Sequence, residues 1–103
     1  MNESIVKTIP LLTEPFVRMG IYETQEEALK QLVLQHIELQ IEEAQREIAC
    51  FQRKYGMDFE DWTQALISRA TVEEEDDWMK WESARDVLES WKRMKAEIEQ
   101  CNV

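Results

Sequence analysis

A long stretch without helix-breaking residues constrains the fold more than any other feature of this sequence. No glycine or proline occurs between Gly20 and Gly56. Residues 24–27 read Thr-Gln-Glu-Glu, a capping box in which the Thr24 hydroxyl accepts from an early helical N–H and Glu27 reaches back. Gly56 is a typical residue at the end of a helix. The sequence therefore predicts one helix of about 31 residues, about 47 Å long.

Apolar residues recur along this helix at alternating steps of three and four. The positions are Leu34, Ile37, Ile41, Ala44, Ile48, Phe51 and Tyr55. This spacing is that of a coiled-coil seam over three heptads. Ala28, Leu29, Leu32 and Val33 widen the apolar face at its N-terminal end. Because so long a stripe must be covered, we expect a second helix to pack on it, either from the same chain or from another.

The remaining elements are shorter or less regular. Residues 4–9 are rich in β-branched side chains and predict a short N-terminal strand, and residues 11–19 predict a short helix. Asp58 is a suitable N-cap for a helix over 58–69, and a last helix is predicted over 78–101. Residues 70–77 are then the expected mobile connection. The predicted fold class is mainly α, with one short strand.

Composition bounds the class of protein. The 103 residues include 22 acids and 12 bases, a net charge of −10, and only two glycines and two prolines. That length suits a single folding unit, and scarce glycine and proline argue against a β-sandwich. The sequence contains no run of 18 apolar residues, so it predicts no membrane span. The N-terminus lacks the basic and apolar regions of a secretory signal. We therefore expect a cytoplasmic protein.

The cysteines are expected to be free thiols. Cys50 and Cys101 form no C-x-x-C pair, and the cytosol keeps thiols reduced. Each lies on or near an apolar stripe, which predicts a core or interface position. If the last helix folds back antiparallel to the long one, the two cysteines lie about 30 Å apart. A disulfide needs Cα atoms about 6 Å apart, so that arrangement excludes an intrachain bond.

No catalytic, cofactor or metal site can be assembled from the sequence. The single histidine, His36, has no identifiable orienting partner, and two isolated glycines cannot form a phosphate loop. The acidic run 73–77 lacks the spacing of a calcium loop. Its favoured interpretation is stabilisation of a helix N-terminus, with docking to a basic partner as the next alternative. An enzyme is the least favoured function.

Four tryptophans lie within thirty residues of one another: Trp62, Trp78, Trp81 and Trp91. Tryptophan is enriched at the hot spots of protein interfaces, and four exceed what a thin helical core easily covers. For Trp62 and Trp91 we favour core packing. For Trp78 and Trp81, which flank the acidic run, core packing and partner contact remain equally open.

Residues 19–29, Met-Gly-Ile-Tyr-Glu-Thr-Gln-Glu-Glu-Ala-Leu, resemble the turn and second-helix start of ribbon-helix-helix antitoxins from prokaryotic type II toxin–antitoxin systems. The predicted strand and short helix occupy the corresponding places. Residues 77–82, Asp-Trp-Met-Lys-Trp-Glu, resemble the toxin-facing part of small antitoxins. The N-terminal match covers about a third of the chain.

The resemblance implies a homodimer with paired strands and long helices packed across the twofold axis. Dimerisation would involve Leu29, Leu32, Ile37, Ile41 and Ile48. It also implies DNA contacts near Lys7 and Thr24, but residues 1–23 carry a net charge of −1, so DNA binding by this chain alone is expected to be weak. Residues 1–56 then form the dimerisation segment.

By the same resemblance, residues 57–103 form an acidic, tryptophan-rich segment that binds and neutralises a basic toxin, with a ribonuclease as the expected class. Autoregulation of the operon is a possible second role. The expected toxin contacts are Trp78, Trp81, Trp91 and Met94. The alternative is a structural helical adaptor that assembles with itself and has no toxin partner.

Overall fold

The computed structural model describes residues 3–67 and 69–101, which form four helices. These are α1 (Glu3–Arg18), α2 (Gln25–Tyr55), α3 (Phe59–Leu66) and α4 (Val72–Glu99). The mainly α fold class is confirmed, and the described residues contain no strand.

The predicted N-terminal strand is wrong, because residues 4–9 lie within α1. An isolated strand is not stable in water, and the described residues of one chain contain no second strand to pair with it. The apolar residues Ile5, Ile9, Leu12 and Phe16 are spaced by four, three and four, which suits one side of a helix. Local β-propensity was therefore the weaker signal.

The long helix is confirmed with the predicted bounds. The Thr24 hydroxyl accepts a hydrogen bond from the backbone N–H of Glu27 at 3.1 Å, as expected of an N-cap. Gly56 has φ of 66°, a left-handed conformation that glycine adopts without a Cβ penalty. One detail differs: the Glu27 side chain accepts from Gln31 Nε2 at 3.1 Å instead of reaching back to the cap.

The last helix begins six residues earlier than predicted, at Val72. Thr71 and Glu74 form a complete capping box: the backbone N–H of Glu74 donates to the Thr71 hydroxyl, and the Thr71 N–H donates to the Glu74 carboxylate. The acidic run 73–77 therefore lies in the first turns of α4 and not in a mobile connection. The carboxylates near this end stabilise the helix, because they interact favourably with the positive pole of its dipole.

The helix that covers the α2 seam comes from the same chain. Lys30 near the start of α2 donates to the carbonyl of Cys101, just beyond the end of α4, at 2.9 Å. At the opposite end of the pair, Lys54 lies 2.6 Å from Asp77. These two contacts show that α2 and α4 form an antiparallel hairpin. Buried apolar side chains lie on both helices, namely Ala28, Leu34, Ile37, Ala44, Trp81 and Ala84.

The antiparallel arrangement also separates the cysteines. Cys101 lies beside Lys30, whereas Cys50 lies twenty residues farther along α2, about 30 Å away at the helical rise. Both thiols are free, as expected, but both are exposed, so the expected core or interface positions are not occupied within one chain.

The hairpin makes the protomer long and thin. Its radius of gyration is 19.9 Å, whereas a compact domain of this length has about 13 Å. Its accessible surface is 7693 Å², against about 6,100 Å² for a compact monomer of this mass. Large apolar side chains are among the exposed residues, including Leu11, Leu12 and Met19 at 71%, 64% and 77%.

Candidate protein-binding surface

Trp81 lies at the centre of an aromatic core where α2, α3 and α4 meet. Its side chain is fully buried. Its ring centroid lies 5.6 Å from that of Trp62 and 5.7 Å from that of Phe51, and Tyr55 stacks on Trp62 at 3.9 Å. In this conformation Trp81 is a core residue and offers no surface to a partner. Trp62 is buried as expected.

A buried carboxylate joins the end of α2 to the start of α4. Asp77 accepts hydrogen bonds from Lys54 Nζ at 2.6 Å and from the Tyr55 hydroxyl. The hydrogen bond from Lys54, followed by that from Tyr55, lowers the pKa of Asp77 below its ordinary value. Burial and the nearby Asp77 carboxylate raise the pKa of Tyr55. Within the acidic run, Asp77 therefore stabilises the fold by linking α2 to α4.

The other expected toxin contacts remain partly accessible. Trp78 is half-buried, and its Nε1 donates to the Thr63 hydroxyl at 2.8 Å. Trp91, which we expected in the core, is half-buried and meets the His36 ring edge-on at 6.0 Å. Met94 is 43% exposed. Of the four residues that the sequence singled out, three can therefore be reached from solvent.

An apolar hollow lies between α3 and the first turns of α4. It has a volume of about 380 Å³, and its lining residues are Thr63, Leu66, Ile67, Ala70, Glu75, Trp78 and Met79. We call it the α3–α4 hollow. Ile67 and Met79 are 61% and 59% exposed, large fractions for apolar side chains. Neither residue is among the expected toxin contacts, although Met79 lies within residues 77–82, which resemble the toxin-facing part of small antitoxins.

The segment that contains this hollow is rich in acidic residues. Residues 58–77 contain eight acids and one base, Arg69. Asp76 lies 3.1 Å from Lys80 in an exposed pair, and Glu73 lies 3.2 Å from Lys54. Of these acids, Glu75 lines the hollow, which therefore combines an apolar floor with one carboxylate.

The expected dimerisation residues are divided between the core and the surface. Ile37 is 1% exposed and lies inside the protomer, whereas Leu32, Ile41 and Ile48 are half-buried and Leu29 is 40% exposed. A larger exposed set lies on α1, the following turn and the start of α2. We call it the N-terminal apolar surface, and it comprises Ile5, Val6, Ile9, Leu11, Leu12, Met19, Ile21, Leu29 and Val33.

The expected DNA contacts lack the geometry that the strand would have given them. Lys7 lies on α1, and no described residue forms a strand that could enter a DNA groove. The Thr24 hydroxyl accepts the Glu27 N–H. A shallow hollow beside it is lined by Glu23 and Glu27 as well as Thr24, so a phosphate there would meet two carboxylates.

Two other features, a metal-binding cluster and a membrane-spanning helix, are absent from residues 3–67 and 69–101. No group of three or more His, Cys, Asp or Glu side chains is placed to hold a metal ion. No helix in those ranges has the length and apolar character needed to cross a bilayer. Comparison of the chain with protein-family models, with curated proteins and with solved structures finds no match.

Proposed function

We propose that the protein is an antitoxin, a non-catalytic inhibitor that binds a basic toxin through its α3–α4 half. The observation that carries this proposal is the α3–α4 hollow, an apolar floor lined by the Glu75 carboxylate within a segment of eight acids and one base. Protein interfaces commonly have an apolar centre and a polar rim. The resemblance of residues 77–82 to toxin-facing antitoxin segments supports the same surface.

The charges around the hollow indicate the chemistry of the partner. A chain with a net charge of −10 attracts a basic protein over several ångströms, which raises the association rate. Glu75 lines the hollow, and the neighbouring Asp76 forms only an exposed ion pair with Lys80, which a cation of the toxin could replace. An apolar side chain of the toxin would fill the hollow beside Met79 and Trp78, while its lysines or arginines would meet these carboxylates. Asp77 is excluded from this role because Lys54 already occupies it.

The central test uses the protein encoded by the adjacent reading frame. We expect that protein to stop growth when expressed alone and to be neutralised when this chain is co-expressed. Met79→Lys should weaken the complex about 100-fold in calorimetry, the scale of an interface hot spot, because it removes an apolar anchor and places a cation opposite a basic toxin. The matched control is Val72→Lys, which adds the same charge to α4 at a residue that is 84% exposed and outside the hollow.

Two results would contradict the proposal. The first is an adjacent frame whose product has no effect on growth, since the chain would then have no toxin to inhibit. Equal weakening by Met79→Lys and Val72→Lys would show that the complex depends on total charge and not on the hollow.

The proposed antitoxin is a homodimer that associates through the N-terminal apolar surface. A standard interface buries about 800 Å² per partner, and the N-terminal apolar surface consists of nine large apolar side chains that are 36–77% exposed. Residues 4–13 contain Lys7 as their one charged side chain. Two acidic chains would repel each other over most other surfaces, so this one is the most favourable for a second copy.

Sedimentation tests the dimer. We expect the wild-type chain to sediment at twice its mass of 12.3 kDa. Leu12→Asp should give monomers with unchanged helical content, because a carboxylate on each copy would be placed in an apolar contact. Leu39→Asp is the control, since Leu39 is 61% exposed, close to the 64% of Leu12, but lies outside this surface. A dimer that survives Leu12→Asp but not Leu39→Asp would place the interface on α2 instead.

A structural helical adaptor is the second candidate. The elongated shape and the N-terminal apolar surface favour it as much as they favour a dimeric antitoxin. The growth experiment separates the two functions, because an adaptor has no toxic neighbour to neutralise.

A further inference from the structure

We infer that the α3–α4 hollow is one end of a continuous groove along α4, and that the groove binds an amphipathic helix with basic flanks. This inference rests on the proposed function, because it specifies which element of the toxin binds there. Three hollows lie in succession along α4, with volumes of about 380, 360 and 340 Å³. The first and second share Met79, and the second and third share Ser83 and Val87. We call the three together the α4 groove.

The spacing of the groove residues suits a helix. Met79, Ser83, Val87, Ser90 and Met94 follow one another at steps of four, four, three and four. They lie on one side of α4 over about 22 Å, the length of about four helical turns. The three apolar members are 59%, 43% and 43% exposed. The serines between them are small, so a partner helix can approach closely and place its own apolar side chains between these residues.

The two-helix hairpin leaves this position open. The middle hollow is lined by residues of both helices, including Ala44 on α2 and Ala84 on α4. A third helix lying there would contact both members of the hairpin and complete a three-helix arrangement, in which each apolar stripe is covered.

Charge identifies the occupant. The groove is lined by five carboxylates and one lysine: Glu43, Glu47, Glu75, Asp76, Asp86 and Lys80. The lysine is already paired with Asp76 at 3.1 Å. A second copy of α2 or α4 would bring acidic flanks against these acids, which is unfavourable. A helix with lysine or arginine beside its apolar stripe is complementary in both shape and charge.

Synthetic peptides test the groove without the toxin. We would measure binding of three labelled 21-residue peptides to the full chain by fluorescence anisotropy. The first has leucines at alternating steps of three and four with lysine and arginine flanks, the second is a scrambled peptide of the same composition, and the third has glutamate flanks. We expect the first to bind at least about 30-fold more tightly than the others, a difference of about 2 kcal/mol. Equal binding of the first and the scrambled peptide would overturn the inference, because charge alone would then explain it.

Substitutions locate the binding. Val87→Asp places a carboxylate at the centre of the groove. It should lower the affinity for the first peptide at least about tenfold. Ser83→Arg should do the same through bulk and repulsion, so the test remains decisive if either variant folds poorly. Leu39→Asp is the control, on an exposed residue that lines none of the three hollows. Unchanged binding in both groove variants would overturn the inference.

Two further outcomes separate this inference from its alternatives. Conversion of a dimer to monomers by Val87→Asp would show that a second copy occupies the groove, which contradicts a toxin helix. Neutralisation of the adjacent toxin by a chain that binds none of the peptides would refute the groove but leave the antitoxin proposal intact. Binding of the first peptide, together with an adjacent product that does not affect growth, would refute the antitoxin proposal but leave the groove intact.

Discussion

Trp81→Ala should lower the free energy of unfolding by about 4 kcal/mol, the largest loss expected from any single substitution in this chain. Trp81 is fully buried and contacts the rings of Trp62, Phe51 and Phe59, so truncation leaves a cavity among α2, α3 and α4. Urea denaturation followed by circular dichroism measures the loss. Leu39→Ala, on a side chain that is 61% exposed, should change the stability by less than about 0.5 kcal/mol.

This substitution also separates two roles that the sequence left open for Trp81. If Trp81 were a direct partner contact, Trp81→Ala would weaken toxin binding without unfolding the protein. The buried position predicts the opposite order, in which stability falls first and binding is lost only as the fold is lost. A cooperative unfolding midpoint that stays near the wild-type value would contradict the core role.

Asp77→Ala should lower the free energy of unfolding by about 2 kcal/mol. The substitution removes two charge-assisted hydrogen bonds, from Lys54 and Tyr55, and leaves the Tyr55 hydroxyl without its acceptor. The loss should fall short of that for a fully buried ion pair, because the Lys54 side chain is 47% exposed. Asp76→Ala, which breaks an exposed pair with Lys80, is the control and should change stability by less than about 0.5 kcal/mol.

The same carboxylate makes stability depend on pH in a defined direction. The pKa of Asp77 is lower in the folded protein than its ordinary value of 3.8. Its contribution is therefore fully present above that value and is lost as the pH falls through the depressed folded pKa. Urea midpoints measured between pH 7 and pH 2 should fall less steeply in Asp77→Ala than in the wild type. If the urea midpoints of the two proteins fall in parallel with pH, folding does not lower the pKa of the Asp77 carboxyl.

The long helix α2 was predictable because its signals are local and periodic, but the sequence did not predict that α4 of the same chain would cover it in place of a second copy. The cap at Thr24, the glycine at 56 and the three-four spacing between them defined α2 to the residue. The early start of α4 was also encoded, since Thr71 and Glu74 form a capping box. The apolar periodicity begins only at Trp78, so periodicity alone predicts the later start. The first helix was mispredicted because β-branched residues at 5, 6 and 9 fit either a strand or a helix when no partner is known.

The surface was less predictable than the fold. Periodicity placed Trp78 and Trp81 on α4, but which of them is buried depends on where α3 crosses the hairpin, and no local pattern encodes that position. The α3–α4 hollow likewise exists only because Ile67 and Met79, twelve residues apart, meet beside Trp78. Long-range packing of this kind requires the three-dimensional arrangement.

The length of α2 has a consequence for how the two ends of the molecule act. The N-terminal apolar surface and the α3–α4 hollow lie toward opposite ends of a rod of about 47 Å. If two copies join at one end, their hollows remain free at the other. The dimer is then bivalent. Its affinity for a dimeric target would exceed that of a single protomer through effective concentration alone.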